Sequence, residues 1–599
     1  MAGLSYSGAS RGASWGDFNG DGWPDVWTSN HYQDFALYVN QTDGTFTNVI
    51  SDVLSVTQGG DTHGAAWADF DNDGDQDLVQ QAGAQRGVGQ DSSQLYINNK
   101  GKLIEQAANL GVADPLGRGR TPLWLDWNGD GQLDLLFTNG ERPDGQAPSI
   151  LFQQNDGVFQ PIMELSKTAF FAQLAHLSGN DTVDFIVHGQ PYPLKIYNYS
   201  LVSAMGWKDL TKTVLPKRVG DVSDSAIADF NNDLHSDLYL ARSTTGVTDI
   251  FQPDDSHIKA RFSGNKRKKG FSFQVSDDIT FQMFAPNHLS LEVFIGSQGK
   301  SLPQKFSSEE SPFTLSLQDP AVIGIKTRAP DDDGGVYIGY DTVAQSWQVL
   351  IFSRVHYQIN MAIESPGPIT NLTTMGFEPI APSISAQLLL YERGQFKNQT
   401  STGLDVVPNF CGASAVAGDF DNDMDVDIYL VCTRLTANLP NMLYENMGDG
   451  TFVAVPEAGG AAGSMAGVGD SASTVDYDRD GFLDLFVTNG PMRFYWGPNQ
   501  LFRNQGNSNH WLEIDLEGVV SNRDGIGARV LATTGDITQL REQGGGMHSW
   551  TQNHPRIHFG LGNNTKVDRL IIYWPSGIIQ ELESVVSDQV FHVVEPYSH

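Results

Sequence analysis

The residues best suited to chemistry form a run of carboxylates. In Asp69-Phe70-Asp71-Asn72-Asp73-Gly74-Asp75-Gln76-Asp77 an acid stands at positions 1, 3, 5, 7 and 9, and a glycine at position 6. Oxygen donors at that spacing, around a tight turn, are what a hard cation such as Ca²⁺ takes. Apolar runs flank the loop, Ala65–Phe70 on one side and Leu78-Val79 on the other. They read as strands, so the motif is a strand–loop–strand and not a loop between two helices.

The loop recurs. Its odd positions are held by Asp17, Asn19, Asp21, Trp23 and Asp25 in a first copy, and by Asp126, Asn128, Asp130, Gln132 and Asp134 in a third. A fifth copy has Asp229, Asn231, Asp233, His235 and Asp237, and a sixth has Asp419, Asp421, Asp423, Asp425 and Asp427. The seventh has Asp476, Asp478, Asp480, Phe482 and Asp484. Positions 1, 3, 5 and 9 offer side-chain oxygens and position 7 a backbone carbonyl. A fourth copy, His176 to Asp184, is worn: it keeps Asn180 and Asp184, but His176 and Ser178 stand where acids belong. It is expected to keep its strand pair and to hold metal weakly or not at all. The plain alternative is a set of acidic turns that need Asp and Gly only for their geometry. Five clustered carboxylates repel without a cation, which favours metal. The expectation is about six structural Ca²⁺ ions, each stapling one turn. Mg²⁺ fits less well because it resists dehydration, and zinc fits these oxygen-only loops poorly.

The copies begin at Asp17, Asp69, Asp126, His176, Asp229, Asp419 and Asp476, so five of the six steps are 50–57 residues and one is 190. An apolar–aromatic pair follows each loop, as in Leu37-Tyr38, Leu95-Tyr96 and Leu443-Tyr444, often with Asn and a turn after it. Each unit then reads as four strands; in the second they are Ala65–Phe70, Asp77–Gln80, Gln94–Ile97 and Lys102–Glu105. Seven four-stranded units of this length predict an all-β chain folded as a seven-bladed β-propeller. An open β-solenoid is the rival. The long step places an inserted β-sandwich-like domain at 253–386, between the second and third strands of the fifth unit, with strand-like stretches such as Val336–Tyr340 and Trp347–Phe352. The propeller would comprise 1–252 and 387–508, and a further all-β domain would fill 509–599.

The 599 residues carry a formal charge of −34, and 40% of them are apolar. That composition fits a folded protein and argues against nucleic-acid binding, because phosphates would be repelled. The six intact loops hold 23 of the 71 acidic residues, so the acidity is partly a metal-site signature. No apolar run is long enough to span a membrane. The two cysteines, Cys411 and Cys432, flank the sixth loop. They could close a cross-strand disulfide, which implies an oxidising compartment, or stay as buried thiols. No basic-then-apolar leader is present at the start. Either a leader has been removed or the protein is cytosolic; the expectation is a natural precursor that carries one upstream, together with an outer strand that closes the ring.

The loops in series resemble the FG-GAP/VCBS repeats of calcium-binding propellers. The tail adds Asn522-Arg523-Asp524-Gly525-Ile526-Gly527, Gly544-Gly545-Gly546, His558-Phe559-Gly560-Leu561-Gly562 and Trp574-Pro575-Ser576-Gly577. These look like the ASPIC/UnbV domain, and repeats followed by it resemble the CRTAC (cartilage acidic protein) family. The resemblance omits the insert. It implies an extracellular or cell-surface, Ca²⁺-binding, non-catalytic protein of adhesion or matrix interaction.

Catalytic motifs are scarce. Gly8-Ala9-Ser10-Arg11-Gly12 matches Gly-x-Ser-x-Gly but lacks the strand and helix of a nucleophile elbow. The loops between second and third strands carry His31, Tyr32, Arg86, Glu141, Arg142, His188, Tyr192, Arg434, Arg493, Tyr495 and Trp496. Aromatics and arginines at loop tips suit a glycan, matrix or protein ligand, or self-association; ordinary loop composition explains them equally well. The rival function is a polysaccharide-active, lyase-like enzyme on the same scaffold.

Overall fold

The computed structural model describes residues 2–597 except 5–6, 9, 32–33, 55–59, 85–88, 90, 143, 167, 179–182, 190–191, 199–207, 216, 244–248, 265–267, 285–291, 303–311, 328–333, 353–356, 377–384, 409–411, 434–438, 464–467 and 491–496. Cys411, Asn180, Tyr32, Arg86, Arg434, Arg493, Tyr495 and Trp496 lie outside the described residues.

The chain is all-β. Each loop copy joins the first two strands of an antiparallel sheet whose strand order follows the sequence. The first sheet comprises Ser10–Gly16, Asp25–Asn30, Ala36–Asn40 and Phe46–Asn48. The second comprises Thr62–Ala68, Asp77–Ala82, Gln94–Asn98 and Leu103–Glu105. Its register pairs Trp67 with Leu78 and Leu78 with Tyr96, so the apolar residues of three strands share a face. The third, fourth and sixth sheets repeat the plan, while the seventh has three strands among the described residues, Gly469–Val475, Asp484–Asn489 and Gln500–Phe502. The worn fourth copy does keep its strand pair, Phe171–Ala175 with Asp184–Gly189.

The sheets pack face to face through tryptophans two residues before the loop. Trp15, Trp67 and Trp124 are buried. A ring of that size removes about 150–250 Å² from water and keeps one polar handle. Trp67 Nε1 donates to Ser14 O at 3.1 Å and Trp124 Nε1 to Ala66 O at 3.2 Å, each reaching back one sheet. Trp15, in the first sheet, donates to Ser473 Oγ of the seventh at 2.9 Å. One apolar cluster joins Trp15, Val26 and Phe46 to Val475, Tyr477 and Phe486 across the same seam. First strands of neighbouring sheets pack together, except that the fifth sheet's first strand meets the second strand of the fourth, and the seventh packs on the first. This arrangement is consistent with a propeller.

Between the second and third strands of the fifth sheet (Asp237–Arg242 and Gln387–Glu392) the chain builds two further sheets of five and six strands. They share one apolar core that includes Phe262, Phe271, Phe281, Trp347 and Ile363. After Phe502 the chain forms a three-stranded and a four-stranded sheet around Leu512, Val530, Phe559, Ile572 and Trp574. Cys432, at the end of the second strand of the sixth sheet, is disulfide-bonded.

Candidate functional site: carboxylate loops and the tail segment

All six intact loops adopt one backbone. Positions 4 and 6 have positive φ in each, for example Asn72 (58°) and Gly74 (99°). Glycine suits such positions because a Cβ is strained there; the fifth and sixth copies nonetheless place Leu234 (65°) and Met424 (91°) at position 6. The turn is held by its own carboxylates. In the second copy the Asp73 N–H donates to Asp69 Oδ1 at 3.0 Å and the Gly74 N–H to Asp69 Oδ2 at 2.9 Å. The Asp75 N–H donates to Asp73 Oδ1 at 2.9 Å, and the Asn98 N–H, from the third strand, to Asp77 Oδ1 at 2.8 Å. The pattern at position 1 repeats at Asp17, Asp126, Asp229, Asp419 and Asp476. At position 9 it repeats at Asp25, Asp134, Asp237, Asp427 and Asp484. The position 7 residues Trp23, Gln132, His235, Asp425 and Phe482 each donate their N–H to the position 5 carboxylate of their copy.

The donor set fits a hard cation. Oxygens of Asp69, Asp71 and Asp77 lie within 4.8 Å of one another, as do those of Asp419, Asp421 and Asp427 and of Asp476, Asp478 and Asp484. In the other three copies position 3 is Asn19, Asn128 or Asn231, whose amide oxygen replaces a carboxylate oxygen. Asp77 Oδ2, Asn231 Oδ1 and Asp478 Oδ1 are buried and accept no hydrogen bond. Burial, then the neighbouring carboxylates, pushes Asp77 and Asp484 up to about 9, and Asp25, Asp237 and Asp419 to about 8. Bare carboxylates are thus held there at a cost that a bound cation would relieve.

Several loops receive charged side chains from later in the chain. Arg503 pairs with Asp478 (2.5 Å) and Asp480 (3.1 Å) of the seventh copy. In the worn fourth copy Glu542 accepts from the His176 N–H at 2.9 Å and contacts its ring nitrogen at 2.8 Å. An acid from the tail therefore stands beside the histidine that replaced the loop's own first acid.

The tail does more than touch one loop. Asp524 accepts the Asp69 N–H (2.8 Å) and a side-chain hydrogen of Gln76 (2.8 Å), and Arg523 Nε lies 3.3 Å from Asp69 Oδ2. Asn509 Nδ2 donates to Asp421 O at 2.9 Å, and His558 Nε2 sits 3.1 Å from Gly481 O. The C-terminal sheets thus cover the loop side. From there residues 543–556 run along the first strands. Met547-His548 and Thr551-Gln552 form a short hairpin that pairs, through Gln552, with Ser14. Gln552 also accepts from the Trp67 N–H (2.8 Å) and donates to Trp67 O (3.0 Å). Asn553 accepts from the Thr474 N–H at 2.9 Å. His548 Nδ1 and the Ser549 N–H meet the buried Asp224 carboxylate at 2.9 and 3.0 Å. Trp550 reaches the far end, under Arg11 (5.1 Å to the ring centre) and beside His63 (5.3 Å) and Phe170 (6.1 Å). A cavity of about 220 Å³ remains beside the segment, lined by Asp229, Asp419, Arg541, Glu542, His554 and Arg556 among others.

Several loop residues read as ligand contacts are placed otherwise. Arg142 is buried and grips Asp144 through Nε and Nη2 at 2.9 and 2.7 Å. His188 is fully buried, stacked on Phe171 and 3.0 Å from Ser225 Oγ. His188 turns inward near the end of a strand, and Arg142 does so from the loop that follows one. Tyr192 is exposed and donates to Glu141 at 2.8 Å. Sequence reasoning passed over the tail segment 543–556, Asp224 and the pair Asp61 and His63; the three glycines at 544–546 were its one visible signal.

Residues 17–79 and 419–487 match the FG-GAP-like repeat, and 518–599 match the family described as ASPIC and UnbV. Cartilage acidic protein 1 of Mus musculus is 30% identical over 191 residues, covering 30% of this chain and 28% of that protein. The Homo sapiens protein of the same name is 29% identical over 191 residues, 30% of this chain and 27% of that one. The matched stretch is thus less than a third of either relative. A crystal structure of BBS1N in complex with ARL6DN aligns with a TM-score of 0.34 at 7% identity, over 85% of this chain and 96% of that one. The chain joins FG-GAP-like repeats to an ASPIC and UnbV domain, and in this it is similar to the cartilage acidic proteins.

Proposed function

We propose that the chain is an extracellular, Ca²⁺-stapled binding protein whose seven repeat sheets form a closed seven-bladed propeller. In this reading 253–386 is an independent β-domain and 509–599 a cap. The observation that carries it is the sixfold reuse of one oxygen cradle, with unpartnered buried oxygens at Asp77, Asn231 and Asp478. Positions 1, 3, 5 and 9 of each copy would hold the ion beside the position 7 carbonyl. Its work is structural: it joins the first two strands and pre-sets the surface on which the tail docks. The disulfide at Cys432 supports an oxidising compartment, as does the similarity to proteins named for cartilage.

A ligand-binding role is favoured over polysaccharide cleavage because the axis is filled by the chain's own residues 543–556, which leaves little room for a deep funnel there. The partner class is a glycan, matrix component or protein, met on the side away from the loops or through the inserted domain.

The test is calcium titration of chelator-stripped protein by calorimetry, with thermal unfolding in Ca²⁺ and in EDTA. About six equivalents and a marked fall in Tm with EDTA are expected. An unchanged Tm with no bound calcium overturns the metal reading, and product release from acidic polysaccharides overturns the binding reading.

A further inference from the structure

At the end of the sheets opposite the carboxylate loops, two histidines and an aspartate converge from different units. His31 follows the second strand of the first sheet; Asp61 and His63 open the second sheet. Asp61 Oδ1 lies 2.7 Å from His31 Nε2 and 3.2 Å from His63 Nε2. The two segments are locked by Thr62, whose Oγ1 accepts the Asn30 N–H at 3.0 Å and donates to Asn30 O at 2.8 Å.

Asp61 is hydrogen-bonded to both rings, and one donor atom from each of the three residues lies within 4.8 Å of the other two. With ligand bonds of about 2.1 Å, donors this far apart subtend angles of about 80–100° at a shared ion, the spacing of neighbouring positions around a metal. His63 Nδ1 lies 2.5 Å from Gly119 O. A proton on Nδ1 leaves Nε2 as the lone-pair donor and fixes the ring, the usual backing of a metal-ligating histidine. Arg120 Nη1 donates to the same Gly119 O at 2.7 Å and lies 3.2 Å from His63 Nδ1. Gly83 makes the cradle possible: a Cβ there would sit 2.5 Å from Asp61 Oδ2 and 2.6 Å from His63 Cε1. The side chains of His31 and Asp61 are 18% and 21% exposed, so one side of the group faces solvent and can complete the coordination.

We propose that His31, Asp61 and His63 form a binding site for a divalent transition-metal ion of the Zn²⁺ class, separate from the calcium loops and at the opposite end of the sheets. Two imidazoles and one carboxylate suit such an ion and not Ca²⁺, which prefers oxygens. Trp550, with Arg11 over its ring, lies beside His63, and the part-exposed His31 and Asp61 leave room for exchangeable solvent ligands.

The test uses full-length protein saturated with Ca²⁺, titrated with Zn²⁺ by calorimetry. One equivalent is expected to bind, and His31→Gln, Asp61→Asn and His63→Gln each to weaken it at least tenfold while calcium content and Tm hold. No zinc equivalent, or one retained in all three variants, overturns the proposal. Crystals of the unaltered protein soaked in Zn²⁺ give a reading independent of any variant's folding: an anomalous peak between the three residues supports the site, and peaks only elsewhere overturn it.

Discussion

The side-chain amide of Asn40 donates to the backbone carbonyl of Tyr477 at 2.8 Å, although 437 residues separate them. The bond is one of a series. Asn98 reaches Phe18 O at 2.8 Å, Gln154 reaches Phe70 O at 3.1 Å, Asn446 reaches Phe230 O at 3.0 Å, and Asn504 reaches Phe420 O at 2.6 Å. Each amide stands at the end of a third strand, or just past it at Asn504, and grips the loop of the preceding sheet; Asn40 does the same between the first and seventh. Asn40→Ala strands two carbonyls, Pro24 O and Tyr477 O, and is expected to cost about 1–3 kcal/mol. Hydrogen exchange should then rise in Gly469–Val475, at the seam, more than in the third sheet. Equal exchange everywhere would mean the seam is not a closure.

Position 9 separates a metal role from a turn role. Asp77 ties the third strand through Asn98, and its other oxygen has no hydrogen-bond partner. Asp77→Asn keeps the volume and an oxygen but removes the charge. In Ca²⁺ at about a hundred times the site's Kd, the loss of one bound ion amounts to about 2.7 kcal/mol. In EDTA the same change should be neutral or slightly stabilising, because it removes a buried carboxylate. A variant equally destabilised in both buffers points to a turn role alone. Denaturant titrations in the two buffers read the difference.

The seating of residues 543–556 on the first strands rests on a close approach at Gly12, where φ is +83° and an added Cβ would fall 1.6 Å from Trp550 O. Gly12→Ala must push the segment away. The expected result is rapid exchange at Met547–Gln552 and a fall in stability well beyond that of Gly44→Ala. At Gly44 φ is +82° but nothing lies within 4 Å, so only the backbone strain of about 1–2 kcal/mol is paid. Equal effects at the two glycines would show that the segment is loosely held.

The seventh loop carries its own competitor. Arg503 is half exposed and lies against Asp478 and Asp480. A pair so open to solvent contributes well under about 1 kcal/mol, so Arg503→Gln should tighten calcium at this one site by about threefold and leave the total number of ions unchanged. Site-resolved titration, with the other copies as internal controls, checks it. Weaker binding in the variant would assign Arg503 to holding the loop's shape.

What the sequence made legible was local or periodic. The acid spacing of Asp69–Asp77 and the step between copies rest on neighbours in the chain, and they lead to the strand–loop–strand units and the all-β fold. The Gly-Gly-Gly and Asn-Arg-Asp-Gly motifs identified the tail but not its place, because docking against the loops is a long-range matter. His31, Asp61 and His63 belong to no motif; they meet only when the first two sheets pack. His188 and Arg142 read as tips because composition near a turn looks polar whether the side chain points out or in. Asn40 and its equivalents were visible after each apolar–aromatic pair, but their partners lie a whole sheet away.

The C-terminal domain carries its own acid switch. Glu595 accepts the N–H groups of Val519, Val520 and Ser521, each at 2.8 Å, and the Ser521 hydroxyl at 2.9 Å. Burial alone would raise this carboxyl, but the hydrogen bonds from Ser576, Ser521, Val519 and Val520 hold it below the usual glutamate value. A group depressed in the folded state stabilises above its unfolded pKa, about 4.3, and loses that contribution as pH falls through the folded value. Glu595→Gln cannot titrate and leaves one N–H acceptor short, at a cost of about 1–3 kcal/mol near neutrality. The stability gap between Glu595 and the variant should stay constant from pH 7 to about 5 and shrink below about 4.3. Paired denaturant unfolding curves of the two proteins across that range give the gap directly. A gap that does not change with pH would mean the nest holds the side chain by shape and not by charge.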